Sequence, residues 1–205
     1  MTDSPAATYA SAARAFAHLV RELPVSGWAG PGLGDWDLRA LVGHTSRSLI
    51  TVSTYLQTTA DREDVTSAAD YYVKIRDYAS TLGAADIVER GRQAGRDLGA
   101  DPAATVDGLV ERALSDLDGV GDPLITVIGG LGIRLSHYLP TRTFELAVHG
   151  LDIARACGIV PVLPADVLAD ATMLAARIGV ALGQGESMLL ALTGRSTLPE
   201  SFSVV

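Results

Sequence analysis

The sequence predicts a mainly α-helical protein built as a helix bundle with a long crossover. Apolar residues recur at helical spacing along most of the chain. Helix-start signals stand at Asp37 and at Asp101-Pro102, and Leu124 to Leu135 is the one long departure from the helical pattern.

Taken in order, Pro5 to Leu23 is an alanine-rich helix with Tyr9, Ala13, Phe16 and Val20 on one face. Pro24 and the glycines from Gly27 to Gly34 break it. Asp37 is a good N-cap for a second helix reaching about Gln57, and polar residues from Thr58 to Thr66 form a loop. A third helix is expected over Ser67 to Thr81, with a continuation from Ala84 to Leu98 after Gly83. Asp101 caps the next helix, with Pro102 in its first turn and its end near Leu117. Leu124 to Leu135 then reads as two short strands around Gly129-Gly130, or as an extended crossover. Pro140-Thr141 is expected to open a helix running to Cys157, with Gly158 as its C′ residue and Pro161 beyond. Helices over Pro164 to Leu182 and Glu186 to Leu192 precede an extended Ser201 to Val205. No internal repeat or low-complexity segment is visible.

Composition narrows the function classes. At 205 residues the chain suits one domain with an extension, and 48% hydrophobic against 20% charged residues argues against global disorder. A net charge of −8 leaves no excess of basic side chains for a phosphate backbone, so no nucleic-acid partner is expected. No apolar run approaches a membrane span, and Met-Thr-Asp-Ser-Pro lacks the basic and apolar regions of a secretory signal. A lone cysteine, Cys157, excludes an internal disulfide and a multi-cysteine zinc site. The expectation is a soluble, cytoplasmic protein without a membrane partner.

Chemistry concentrates on two helices. Glu145 and His149 are four residues apart, so they project about 40° from each other on adjacent turns. Both residue types are zinc ligands. Arg142 and Asp152 extend the same stripe. Two readings are open: a solvated amphipathic face with ordinary ion pairs, or a stripe lining a pocket while Ala147, Gly150 and Ala154 let a neighbour approach behind. On the second helix, His44 shares its face with Ala40, Leu41, Ser48, Thr51, Val52 and Tyr55. None is charged, which suits an interior or cavity wall. His44 is either a core histidine bonded to a neighbouring polar group or the third ligand of a two-histidine, one-carboxylate site. His18 reads as a partly exposed helix residue, His137 as structural and Cys157 as packing. The Gly30, Gly32, Gly34 cluster and Gly129-Gly130 read as turns, because neither has the strand-turn-helix setting of a nucleotide loop.

Two segments resemble a known family. Asp35-Trp36-Asp37-Leu38-Arg39-Ala40-Leu41-Val42-Gly43-His44 is similar to the tryptophan-to-histidine opening of the second helix in maleylpyruvate isomerase N-terminal domains, with Ala40 where aspartate is frequent. Arg142 to Asp152 resembles that family's R-x-x-E-x-x-x-H-x-x-D helix. These are mycothiol-dependent metalloenzymes of the DinB/YfiT-like superfamily, and the likeness spans about Ala6 to Gly158.

The resemblance implies an up-down four-helix bundle over residues 1–158, with residues 159–205 as a helical extension on the same domain. It implies a divalent metal, zinc by preference, held by His44, Glu145 and His149, and mycothiol as cosubstrate. Fifteen arginines against the single Lys74 suit the actinobacterial hosts of that thiol. The expected activity is thiol S-transfer or isomerisation on a small electrophile, with Arg142 binding an anionic group and Asp152 orienting a ligand or moving a proton. Only 47 residues follow Gly158, fewer than the separate domain that completes the naming isomerase's site. The alternative expectation is therefore a non-catalytic metal-binding or small-molecule-binding module.

Overall fold

The structure, a computed structural model, describes residues 4–79 and 83–205. It contains α1 (Pro5–Arg21), α2 (Leu38–Tyr55), α3 (Ala68–Ala79), α4 (Ala84–Asp97), α5 (Pro102–Leu117), β1 (Leu124–Val127), β2 (Leu131–Arg134), α6 (Leu135–Ala156), α7 (Ala165–Ala181) and α8 (Gly185–Leu192). The chain is thus mainly helical with one small antiparallel sheet among the described residues. Thr81, the expected end of the third helix, lies outside the described residues.

The helix ends follow local chemistry. Ser4, Asp37 and Asp101 each accept a hydrogen bond from the backbone N–H three residues on, satisfying a donor that has no partner inside its helix. At the end of α6, Gly158 adopts φ +66°, and Ile159 N–H donates to Ala154 O at 2.9 Å. That left-handed residue closes the helix where the sequence places its stop.

The start of α6 is a correction. The helix begins at Leu135, not at Pro140-Thr141, and Pro140 lies inside it. Asp122, which precedes β1, accepts bonds from Ser136 N–H at 2.7 Å and Ser136 Oγ–H at 2.9 Å. This cap from outside the helix stabilises an opening turn ahead of the proline. A local reading of Pro140 as a first-turn residue has no access to it.

Four helices make the bundle: α1 and α2 each pack on both α5 and α6. Arg21, ending α1, pairs with Asp107 near the start of α5, and Arg39, opening α2, bonds the carbonyls of Gly95 and Gly99 just before α5. Thr51 late in α2 accepts a bond from Tyr138 early in α6, while His44 lies beside His149 toward the other end. The directions are therefore up, down, down and up for α1, α2, α5 and α6. The parallel pair α2 and α5 needs the long crossover that α3 and α4 supply. Tyr9, Phe16, Leu41, Leu49, Leu146 and Ile153 fill the core.

The hairpin pairs Ile125 with Ile133, both fully buried. Gly129 and Gly130 connect its strands at φ 76° and 73°, so the pair is a turn as expected. After the bundle, α7 packs on α1, α3 and α6, and α8 packs on α7. Ser201 to Val205 joins no sheet, although an extended strand-like end is expected from the sequence. Val204 instead packs its side chain against the core.

Candidate metal centre

Successive turns of α6 place Arg142, Glu145, His149 and Asp152 on one stripe, and that stripe faces other helices. The side chains of Glu145, His149 and Asp152 are only 23%, 16% and 20% exposed. His149 meets His44 of α2 edge to face, with ring centroids 5.1 Å apart. Glu145 accepts a hydrogen bond from Tyr72 Oη of α3 at 2.7 Å. Contacts to two other elements overturn the solvated-face alternative. Behind the stripe, Ala147 and Gly150 face α1 across an apolar cavity of about 360 Å³.

His44 reaches the stripe because α2 is pressed from behind. A Cβ on Gly43 would stand 2.2 Å from Gly95 N, so the backbones of α2 and α4 touch where only glycine fits. The Trp36 ring lies over His44 at 4.5 Å and donates its Nε1–H to Val88 O at 2.9 Å. Gly91 leaves room for it, since a Cβ there would fall 2.4 Å from the indole.

One donor atom from each of His44, Glu145 and His149 lies within 4.8 Å of the others. His149 is held at both ring nitrogens, Nδ1 at 3.3 Å from Asp152 Oδ2 and Nε2 at 3.3 Å from Glu145 Oε2. Burial opposes its charge, but these two carboxylates prevail and raise its pKa to about 9. Burial opposes charge on His44 too, and there it prevails: together with the neighbouring His149 it pushes that ring down to about 4. Burial alone would raise Glu145. The hydrogen bond to His149 and the charge of Arg142 instead hold it at about 2. At neutral pH the cluster is a neutral His44, an anionic Glu145 and a cationic His149.

These residues fit a divalent cation. Two imidazoles and one carboxylate are the ligand types of a catalytic zinc site, and three protein ligands leave a position open. No hydrogen bond to a described residue contributes to the shift of the His44 ring, in contrast to His149.

The remaining sequence candidates divide. Asp152 joins the cluster through His149. Arg142 stacks over Tyr138 and Tyr71, its Cζ 5.0 and 5.5 Å from the ring centroids, and its Nε–H donates to Thr141 Oγ1 at 3.0 Å. His18 is exposed on α1, at the rim of the cavity behind α6. His137 stands 3.5 Å from Glu63 and apart from the cluster. Cys157 caps α6, and burial raises its thiol pKa, which does not suit a nucleophile. Sequence reasoning missed Tyr71, Tyr72 and Tyr138 as neighbours of the site. The doublet Tyr71-Tyr72 on a polar helix was the available signal.

The fold and cluster define a helical-bundle protein in which two histidines and one carboxylate come close enough to hold one metal ion. Residues 9–154 match the mycothiol maleylpyruvate isomerase N-terminal domain, and the chain belongs to that family. Membership relates it to metal-dependent chemistry involving mycothiol. Comparisons with curated proteins and with solved structures give no match. Among the described residues, no helix is long and apolar enough to cross a membrane.

Proposed function

We propose that this protein is a divalent-metal-dependent enzyme that turns the thiol of mycothiol on a small electrophilic substrate, as an S-transferase or an isomerase. The observation that carries this reading is the convergence of His44, Glu145 and His149 from two helices in a member of this family. Zinc suits the donor set, and when bound it would favour thiolate over thiol at neutral pH.

The chain's own residues do the rest. Asp152 takes the Nδ1–H of His149 and so turns Nε2 toward the shared position. Trp36 covers one face of His44 and keeps water from it. Arg142 forms no ion pair among the described residues, and its stacked faces leave the N–H edge of the guanidinium free. That edge suits an anionic group on the substrate.

The test is turnover by zinc-loaded protein with mycothiol and a panel of electrophiles. It is read both as loss of thiol, which S-transfer consumes, and as conversion of the electrophile, because isomerisation by addition and elimination returns the thiol. Metal- and thiol-dependent conversion of an electrophile, abolished in His149→Ala, is expected. Stoichiometric metal with neither thiol loss nor conversion across the panel would overturn the catalytic reading and leave a binding module.

A further inference from the structure

Tyr72 belongs to a helix outside the four-helix bundle, yet its hydroxyl reaches the cluster. It lies 2.7 Å from Glu145 Oε1 and 3.2 Å from Thr141 O. A phenol has one proton to give, and the shorter contact to an ionised carboxylate is the stronger. The other oxygen, Oε2, is the one 3.3 Å from His149 Nε2. The two carboxylate oxygens therefore have separate tasks.

We propose that Tyr72 is a positioning residue for the metal centre: its hydroxyl occupies Glu145 Oε1 so that Oε2 alone is presented beside His149. The inference rests on the reading of His44, Glu145 and His149 as ligands. It makes Tyr72 the counterpart of Asp152, which does the same for His149 from Nδ1. Outer partners of this kind fix the orientation of a ligand and tune what it donates.

The ring is well placed for that task. It meets Phe144 edge to face at 5.4 Å and Tyr71 at 5.6 Å, so the hydroxyl has little freedom to leave the carboxylate. Its helix, α3, packs on α6 and on α7. Leu182 at the end of α7 and Val204 share a cavity of about 400 Å³ with Tyr72 and Ile75. Both lie beyond residues 9–154, so the segment that follows the family match forms part of what surrounds Tyr72.

The experiment is a cobalt titration of the full chain, read by visible absorption, for wild type, Tyr72→Phe and Tyr71→Phe. Tyr72→Phe removes one oxygen and keeps the ring. It is expected to bind cobalt roughly 10- to 100-fold more weakly, the cost of losing an outer-shell partner. Its absorption bands should shift as Oε1 is freed to approach the ion. Tyr71→Phe, which removes a hydroxyl that has no bond to Glu145, should match wild type and controls for loss of a buried phenol. Wild-type affinity and spectrum in Tyr72→Phe would overturn the role of Tyr72 while leaving the ligand set intact. Equal weakening in both variants would overturn it too. If the wild type itself takes up no cobalt, the ligand assignment fails first and this inference falls with it.

Discussion

Glu145 and His149 are held by hydrogen bonds, whereas His44 is held by packing. On α6 the chain Tyr72, Glu145, His149, Asp152 is a continuous run of polar contacts between 2.7 and 3.3 Å. On α2 the imidazole has a stacked indole at 4.5 Å and a glycine-to-glycine helix contact behind it. The α6 half is thus preorganised by charge and direction, and the α2 half by how closely α4 presses on α2. The first kind is sensitive to single polar atoms. The second is sensitive to volume.

That contrast is broken most severely at the proposed ligands themselves. Glu145→Ala or His149→Ala removes a donor and the partner that holds the other, so metal uptake should be lost, as elemental analysis would show. Asp152→Asn should come next, weakening zinc binding by roughly 10- to 100-fold in a competition titration. A loss no larger than that of an exposed control would mean the α6 half is not organised by this hydrogen bond.

Gly43→Ala probes the packed half. The added methyl would stand 2.2 Å from Gly95 N, so α2 and α4 must separate. An overpacking cost of about 1–3 kcal/mol is expected in denaturant unfolding. Metal binding should weaken as His44 is displaced. Unchanged stability would contradict the close contact.

Protonation gives the smallest effect and separates the two histidines. His149, raised to about 9, carries a proton at neutral pH that a metal must displace, whereas His44, lowered to about 4, has none to lose. Zinc binding at pH 7 should release about one proton, measured by calorimetry in buffers of different ionisation enthalpy. The sign follows for the metal-free fold as well. His149 adds stability below its unfolded value, about 6.5, and this is lost as pH rises through about 9. Release of two protons would mean that His44 is also charged in the empty site.

The same division explains what could be read in advance. Caps at Asp37 and Asp101 and the stop at Gly158 are local, and the sequence shows them. Each stripe was legible too: an uncharged face around His44, and a carboxylate and histidine one turn apart on α6. Whether the stripes meet depends on how α2 crosses α6, which the glycine contact with α4 helps to set. Tyr72 was out of reach because α3 takes its orientation from α6 and α7, far away in sequence. Pro140 misled for the same reason, since the cap that lets α6 begin early comes from Asp122.

The most direct measurement is metal content of the purified full chain, after reconstitution at neutral pH, with His44→Ala and His149→Ala alongside. About one zinc per chain, lost from both variants, is the predicted result, because it requires α2 and α6 to share one ion. Metal retained in His44→Ala, or none in the wild type, would contradict a centre built from both helices.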